Sequence, residues 1–387
     1  MSGARTGPRA QALPARPFFA GGPERTALAR ERFFANGQRP TGLVSEAVLQ
    51  SWQRCLQARR DPPERLLFDP VGASRQHRAL QRGRPLLQAA TPVLQRLEAA
   101  LAATGARALL CNGEGVVVHR TPAASHPEPV LSLAARVGVD LSERAVGTTA
   151  PGIVLSTGQA VTVTRAEHYF DQCGTLSCAA APIRDRRGAL AGVLDLSVEG
   201  RTFGFDAAAL VGLYAGAIEN ALLETPDGDG LVLRFQADPL LLGTPLQALV
   251  GVGGDGALRW MNQVGRSLLG PGVAPGQAVE AVFGLALGDL LAATAAAAPR
   301  PQRLGHGRVV WGVARRHLPG QAGVASGLPA AAPAPMAPAA PTPATLAEYD
   351  RQLVLDTLAR CGGNVSRAAR ELGVSRGLLY RRLAALR

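Results

Sequence analysis

Lysine is missing altogether. All 41 basic residues in this chain of 387 are arginine. One activity falls with it: the phosphate-cradling loop G-x4-G-K-[ST] needs a lysine amine, so a nucleotide-hydrolysing core of that type has no place here. No run of eighteen apolar residues occurs, and the alanine-rich stretch 291–298 is too short, so no membrane span is expected. The start, MSGARTGPRAQALPARP, lacks the apolar core of a signal peptide. Cysteines are few, odd in number and scattered (Cys55, Cys111, Cys173, Cys178 and Cys361), which suits a reducing cytoplasm better than a disulfide framework. There is no G-x-S-x-G elbow, no H-E-x-x-H and no recognisable carboxylate pair. With six histidines thinly spread, an enzyme is not expected. His168, Cys173 and Cys178 form an H-x4-C-x4-C row without the tight C-x2-C pairs of structural zinc, so neither a metal nor any other cofactor is expected.

Enough is present for about two or three domains. Apolar residues make up 47% of the chain, sufficient for true cores, and the net charge of +12 favours an anionic partner. The excess of arginine over lysine reflects the bias of a GC-rich genome and is not itself evidence of function.

The C-terminal stretch LAEYDRQLVLDTLARCGGNVSRAARELGVSRGLLYRRLAALR reads as three short helices. Leu346, Tyr349, Leu353, Val354 and Leu358 line one face of the first. Gly362 and Gly363 stop it. Asn364 caps a second, with Val365, Ala368, Ala369 and Leu372 at helical spacing. Gly373 and Val374 make the turn, and Ser375 caps the third. There Leu379, Leu383 and Leu386 face inward, while Gly377 and Arg381 point away and Leu378 and Arg382 flank them. From Arg360 onward seven arginines oppose one acid, Glu371, which suits phosphate binding. This is the pattern of a helix-turn-helix whose outer face enters a major groove, where arginine can bind guanine bidentately. The stretch from Gly363 to Leu383 resembles the Fis-type DNA-binding pattern GNxSxAAxxLGxSRxxLYRxL. The resemblance implies that Ser375, Arg376, Leu378, Arg381 and Arg382 face double-stranded DNA and that the long first helix helps to form a homodimer.

The rest of the chain, taken in order, gives helices at 26–34 and 45–57, the second capped by Ser45, then a longer one at 85–103 that Pro92 should kink or split. The rhythm then changes to strands at 108–111 and 116–118 around Asn112-Gly113-Glu114-Gly115, at 160–164, 177–183 and 190–197, before a helix at 206–223. The segment SERAVGTTAPGIVLSTGQAVTVTRAEHYFDQCGTLSCAAAPIRDRRGALAGVLDLS is similar to the GAF domain of sigma-54-dependent regulators of acetoin catabolism. Upstream SWQRC and LLQAATPVLQRLEAALAATGARALL match the same family, which gives coverage of roughly residues 26–223. Thr149 departs from the asparagine usual after that family's Gly-Thr. The resemblance implies a pocket for a small-molecule effector, near which Gly147, Thr148, Glu167, His168, Cys178 and Asp195 are the candidate polar groups. Beyond Pro226, strands at 231–235, 246–252, 257–260 and 308–313 surround a helix from Asn262 to Leu269, an arrangement that resembles a degenerate PAS domain.

The expected fold class is thus multidomain α+β. A disordered leader (1–25) precedes a helical N-terminal region (26–105) and a GAF-like antiparallel sheet sensor (106–225). A PAS-like α+β middle (228–318) and a Pro/Ala linker (319–343) lead to an all-α helix-turn-helix (344–387). Relatives with these two ends usually carry an AAA+ ATPase between them, and some two hundred residues of it are absent. The expected function is a cytoplasmic DNA-binding transcription regulator tuned by an effector. The alternative is an interaction module that hetero-oligomerises with a full-length sigma-54-dependent activator, and either could involve RNA polymerase.

Overall fold

The computed structural model describes residues 21–122, 126–225, 230–293 and 298–317, together with 357, 361, 362, 364–371, 376, 377 and 379 of the C-terminal segment. The chain divides into two compact units, 1–329 and 330–387. The expected leader and the Pro/Ala linker lie largely or wholly outside the described residues.

Alternation of side chains explains the larger unit's first sheet. Strands β1 (Arg107–Asn112), β2 (Val117–Arg120), β3 (Val161–Thr164), β4 (Leu176–Arg184) and β5 (Leu190–Glu199) pair antiparallel in the order β2-β1-β5-β4-β3. Every residue of β1 is buried, because both faces of the sheet are covered, and its sequence therefore shows no clean polar alternation. On one face Leu110, Leu194, Leu196 and Ile183 meet the helices α4 (Arg84–Leu101) and α8 (Ala207–Leu223). On the other, Leu109, Cys111, Cys178 and Val193 meet α2 (Glu46–Gln57) and the short helices α5 (Leu131–Ala134), α6 (Glu143–Val146) and α7 (Ala150–Thr157). Helix α1 (Gly22–Arg30), continued by a π turn at Glu31–Ala35, and α3 (Ala73–Arg82) complete this α/β/α sandwich. Ser45 caps α2 through Val48 N, as its sequence position predicts. Pro92 does not split α4, which is a single helix. In the turn that the proline disturbs, the Thr91 hydroxyl donates to Leu87 O at 2.7 Å.

A second antiparallel sheet follows, built from β6 (Gly230–Gln236), β7 (Ala248–Gly253), β8 (Leu258–Met261), β9 (Arg300–Arg303) and β10 (Val309–His317), ordered β8-β7-β6-β10-β9. It is a three-strand meander extended by a hairpin and, like the first sheet, it places its last strand between its first and fourth. Helices α9 (Gln263–Leu269), α10 (Val279–Phe283) and α11 (Leu287–Ala293) belong to this part of the chain, and α10 and α11 cover one of its faces. The other face meets the end of α8, where Leu223 packs with Val232, Leu249 and Trp260.

That junction is also polar. Asn262, 1% exposed, accepts from Leu249 N (3.0 Å) and Gly265 N (2.7 Å), so it caps α9. Its amide donates to Gln247 O (2.9 Å) and to Asn220 Oδ1 on α8 (2.8 Å). Glu219, one residue earlier, accepts from Arg184 N of the first sheet and from Gln263 N of α9. Among the described residues no helix is long and apolar enough to cross a membrane.

Candidate functional site

The candidate functional side chains fall in two places, one in each unit. In the smaller, Gly362 adopts φ +62°, the left-handed geometry that ends a helix. Asn364 then opens α12 (Val365–Glu371) by accepting from Ser366 N and Arg367 N, both at 3.1 Å. Two of the orphan amides of that helix are thereby satisfied. Ala368 and Ala369 turn inward and are buried, with Thr357, Cys361 and Leu379. Arg367, Arg376 and Gly377 are exposed. Gly377 and Leu379 lie two residues apart, about 200° around a helix, so exposure of one with burial of the other fits the facing read from the sequence. Ser375, Leu378, Arg381 and Arg382 lie outside the described residues.

The other place is the α2-facing side of the first sheet. Cys178 of β4 stands directly opposite Ser197 of β5, and Ala180 opposite Asp195. His168 ends a one-turn 3-10 helix (Arg165–Glu167) and is 1% exposed, as is Asp195. These groups form a continuous chain. His168 Nδ1 lies 2.9 Å from Arg165 O, which can only accept, so Nδ1 carries the proton and Nε2 is the acceptor. Cys178 Sγ lies 3.5 Å from Nε2 and 3.1 Å from Ser197 Oγ, and Ser197 Oγ lies 2.6 Å from Asp195 Oδ2. Asp195 Oδ1 is buried without a partner.

Electrostatics decide the direction of that chain. Burial pushes the Asp195 carboxyl up to about 7, against the pull of the Ser197 hydrogen bond. Burial lowers His168 to about 4, the contact with the Arg165 carbonyl acting the other way. The Cys178 thiol is held well above its ordinary value by burial and by Asp195. With Asp195 protonated, its hydroxyl donates to Ser197, Ser197 to Cys178, and Cys178 to neutral His168. Once Asp195 ionises it accepts a hydrogen bond from the Ser197 hydroxyl, and the thiol loses its donor.

The remaining candidates divide. Thr148 is buried on the α2 side, its hydroxyl 2.8 Å from Ser51 Oγ and 3.8 Å from Cys55 Sγ. Gly147 has φ +66°, and a β-carbon there would come within 2.6 Å of the Phe170 ring. Glu167 turns away from the chain and accepts from the backbone N and hydroxyl of Thr164 (2.8 and 2.9 Å). Thr149, where the related pattern has asparagine, does the work of a cap: its hydroxyl accepts from Gly152 N at the start of α7. Among the described residues no group of three or more His, Cys, Asp or Glu side chains is arranged to hold a metal ion.

Sequence reasoning missed Ser51 and Ser197, along with the two side chains that pin the His168 turn. Trp52 Nε1 donates to Glu167 O at 2.7 Å. Arg30 reaches from α1 to His168 O (2.8 Å) and Asp171 (2.6 Å), its guanidinium 4.9 Å from the Phe34 ring centre. Cross-strand register alone brings Ser197 to Cys178, and that pairing is not visible along the chain.

Comparison with known proteins gives matches to two segments of the chain. Residues 22–215, half of the chain, match the family described as "MimR, N-terminal domain", and residues 345–386 match "Bacterial regulatory protein, Fis family". The acetoin catabolism regulatory protein of Cupriavidus necator is 29% identical over 259 residues, which cover 63% of this chain and 38% of that protein. The propane 2-monooxygenase operon transcriptional activator MimR of Mycolicibacterium smegmatis is 33% identical over 159 residues, covering 40% of this chain and 26% of that protein. The chain thus spans between a quarter and two fifths of the length of these relatives. A chain of the E. coli DhaR(N)–DhaL complex superposes over 71% of this chain and all of its own length with a TM-score of 0.42 at 15% identity. The chain belongs to the family that shares the MimR N-terminal domain, among bacterial transcription regulators, and it carries a Fis-family segment behind that domain.

Proposed function

We propose that the chain is a sequence-specific DNA-binding regulator in which the first sheet senses a small effector and the C-terminal segment reads the operator. One observation carries the reading. A helix capped by Asn364 has small residues buried behind it and exposed Arg376 and Gly377 beyond, in a segment with seven arginines against one acid. Ser375, Arg376, Leu378, Arg381 and Arg382 are the DNA-facing residues, and Thr148, His168, Cys178 and Asp195 belong to the effector-responsive core. The working form is a cytoplasmic homodimer that reads two half-sites about 34 Å apart, so dimer geometry sets affinity. Without a phosphate loop it acts by occupancy rather than by ATP hydrolysis. The PAS-like middle joins sensor to reader.

The test is fluorescence anisotropy of the full chain on duplexes recovered by genome-wide footprinting, across a salt series. Binding should weaken linearly with log salt. Arg376→Ala should cost about 1–3 kcal/mol on the recovered site and relax base preference. A chain that prefers these duplexes no more than heparin overturns the proposal. Pull-down of a full-length activator with equal efficiency in the absence of operator would favour the interaction module instead.

A further inference from the structure

Between the second sheet and α11 lies a cavity of about 270 Å3 that the proposed function leaves unused. Its floor is the inner face of β6 and β10, with Leu233 and Phe235 on one strand and Val310 and Ala314 on the other. Gly312 occupies the inner position between those last two. It has no left-handed φ, and a β-carbon there would meet Arg234 O and the Phe235 Cβ at 3.5 Å, an ordinary contact. The backbone would accept a side chain at 312, and its absence opens the space.

The rim has charge of both signs. In the pairing of β9 with β10, Arg300 stands opposite Gly312 and Gln302 opposite Val310. Directly paired residues project from the same face of a sheet, so Arg300 and Gln302 rise over the cavity. Gln302 is committed, its amide donating to Phe283 O at 2.6 Å. The Arg300 side chain makes no hydrogen bond or ion pair among the described residues, and neither does the side chain of Asp289, which enters the lining from α11. Arg234, by contrast, points to the opposite face and pairs with Glu224 at 2.9 Å.

We infer that this cavity binds an apolar α-amino acid. A pocket with an apolar floor and one unpaired cation and one unpaired anion at its rim matches an apolar side chain below a zwitterionic head. Arg300 takes the carboxylate and Asp289 the ammonium. A plain carboxylic acid would leave Asp289 facing an anion, and a plain amine would leave Arg300 facing a cation. Size agrees as well: a cavity of about 150 Å3 holds benzene, so 270 Å3 holds a ring with a glycine head attached.

Isothermal titration of the full chain with L-phenylalanine tests this, with 3-phenylpropionate and phenethylamine as probes that each lack one charge. L-Phenylalanine should bind, and both analogues should bind at least tenfold more weakly. Gly312→Leu should abolish binding, while Arg300→Gln and Asp289→Asn should each weaken it several-fold. Gly312→Ala, whose methyl meets only ordinary contacts, keeps the test open should the leucine variant not fold, and it should reduce affinity by a smaller factor. The inference fails if no probe binds, if either analogue equals L-phenylalanine, or if a folded Gly312→Leu chain binds it unchanged. DNA does not enter the assay, so failure here leaves the regulator reading untouched.

Discussion

Replacing Asp195 with asparagine should uncover a pH dependence of the first sheet's stability that two opposing groups largely cancel in the native chain. Asp195 sits at about 7 when folded, against 3.8 for an ordinary carboxyl. A raised carboxyl favours the folded state at low pH, and that advantage is lost as pH rises from about 4 to about 7. The gap corresponds to about 4 kcal/mol. His168 works the other way. At about 4 folded against 6.5 ordinarily, it leaves the folded state at full stability above pH 6.5 and withdraws about 3 kcal/mol as pH falls to 4. Between pH 4.5 and 6.5 the two slopes nearly cancel in the native chain. Hydrogen-exchange protection of the β4 and β5 amides, corrected for intrinsic rates, reads the balance. The difference between Asp195→Asn and the native chain should grow in the variant's favour by about 3–4 kcal/mol from pH 4.5 to 7.5. His168→Gln should show the opposite trend, gaining on the native chain as pH falls. Carboxylates elsewhere cancel in these differences. A flat difference for Asp195→Asn across that range refutes the hydrogen-bond chain as drawn.

Three further outcomes follow from the geometry. Asn262→Ala strands Leu249 N, Gln247 O and Asn220 Oδ1 in a buried junction, which should cost about 3–5 kcal/mol in urea unfolding. Asn262→Ser, which keeps a cap, should cost less. Gly147→Ala forces a β-carbon into left-handed backbone and against the Phe170 ring, so a loss of about 2–3 kcal/mol is expected in thermal unfolding. Asn364→Ala removes the acceptor for two backbone amides and should cost about 1 kcal/mol. The folded population of Asn364→Ala, measured by circular dichroism, should fall further than that of exposed Arg367→Gln.

Strands of the first sheet were legible because turn chemistry brackets them. Asn112 accepts from Glu114 N and Val116 N, and Asp185 accepts from Arg187 N and Ala189 N, so a short polar residue followed by glycine marks each hairpin. The caps at Ser45 and Asn364 were legible for the same reason: a side-chain oxygen competing for nearby amides is a local property. Helix α3 was not, since only Ala79 of its ten residues is buried and no apolar stripe announces it. Strand β9 hides behind Pro301 at a sheet edge, where a missing N–H does no harm. Three of the four members of this hydrogen-bond chain, His168, Cys178 and Asp195, are among the candidate polar groups near the pocket that the family resemblance implies. Their partnership was not legible, because it depends on which strands become neighbours.

Glu219 and Asn220 also dictate how α8 can move. Sliding the helix by one residue would advance it about 1.5 Å and turn it by about 100°, which would swing both side chains away from Gln263 N and Asn262 together. Screw-like travel is therefore blocked while those bonds hold, and a rocking of the whole helix costs far less. Any change in the tilt of α8 would therefore bear on Asn262 and Gln263 together, at the start of α9.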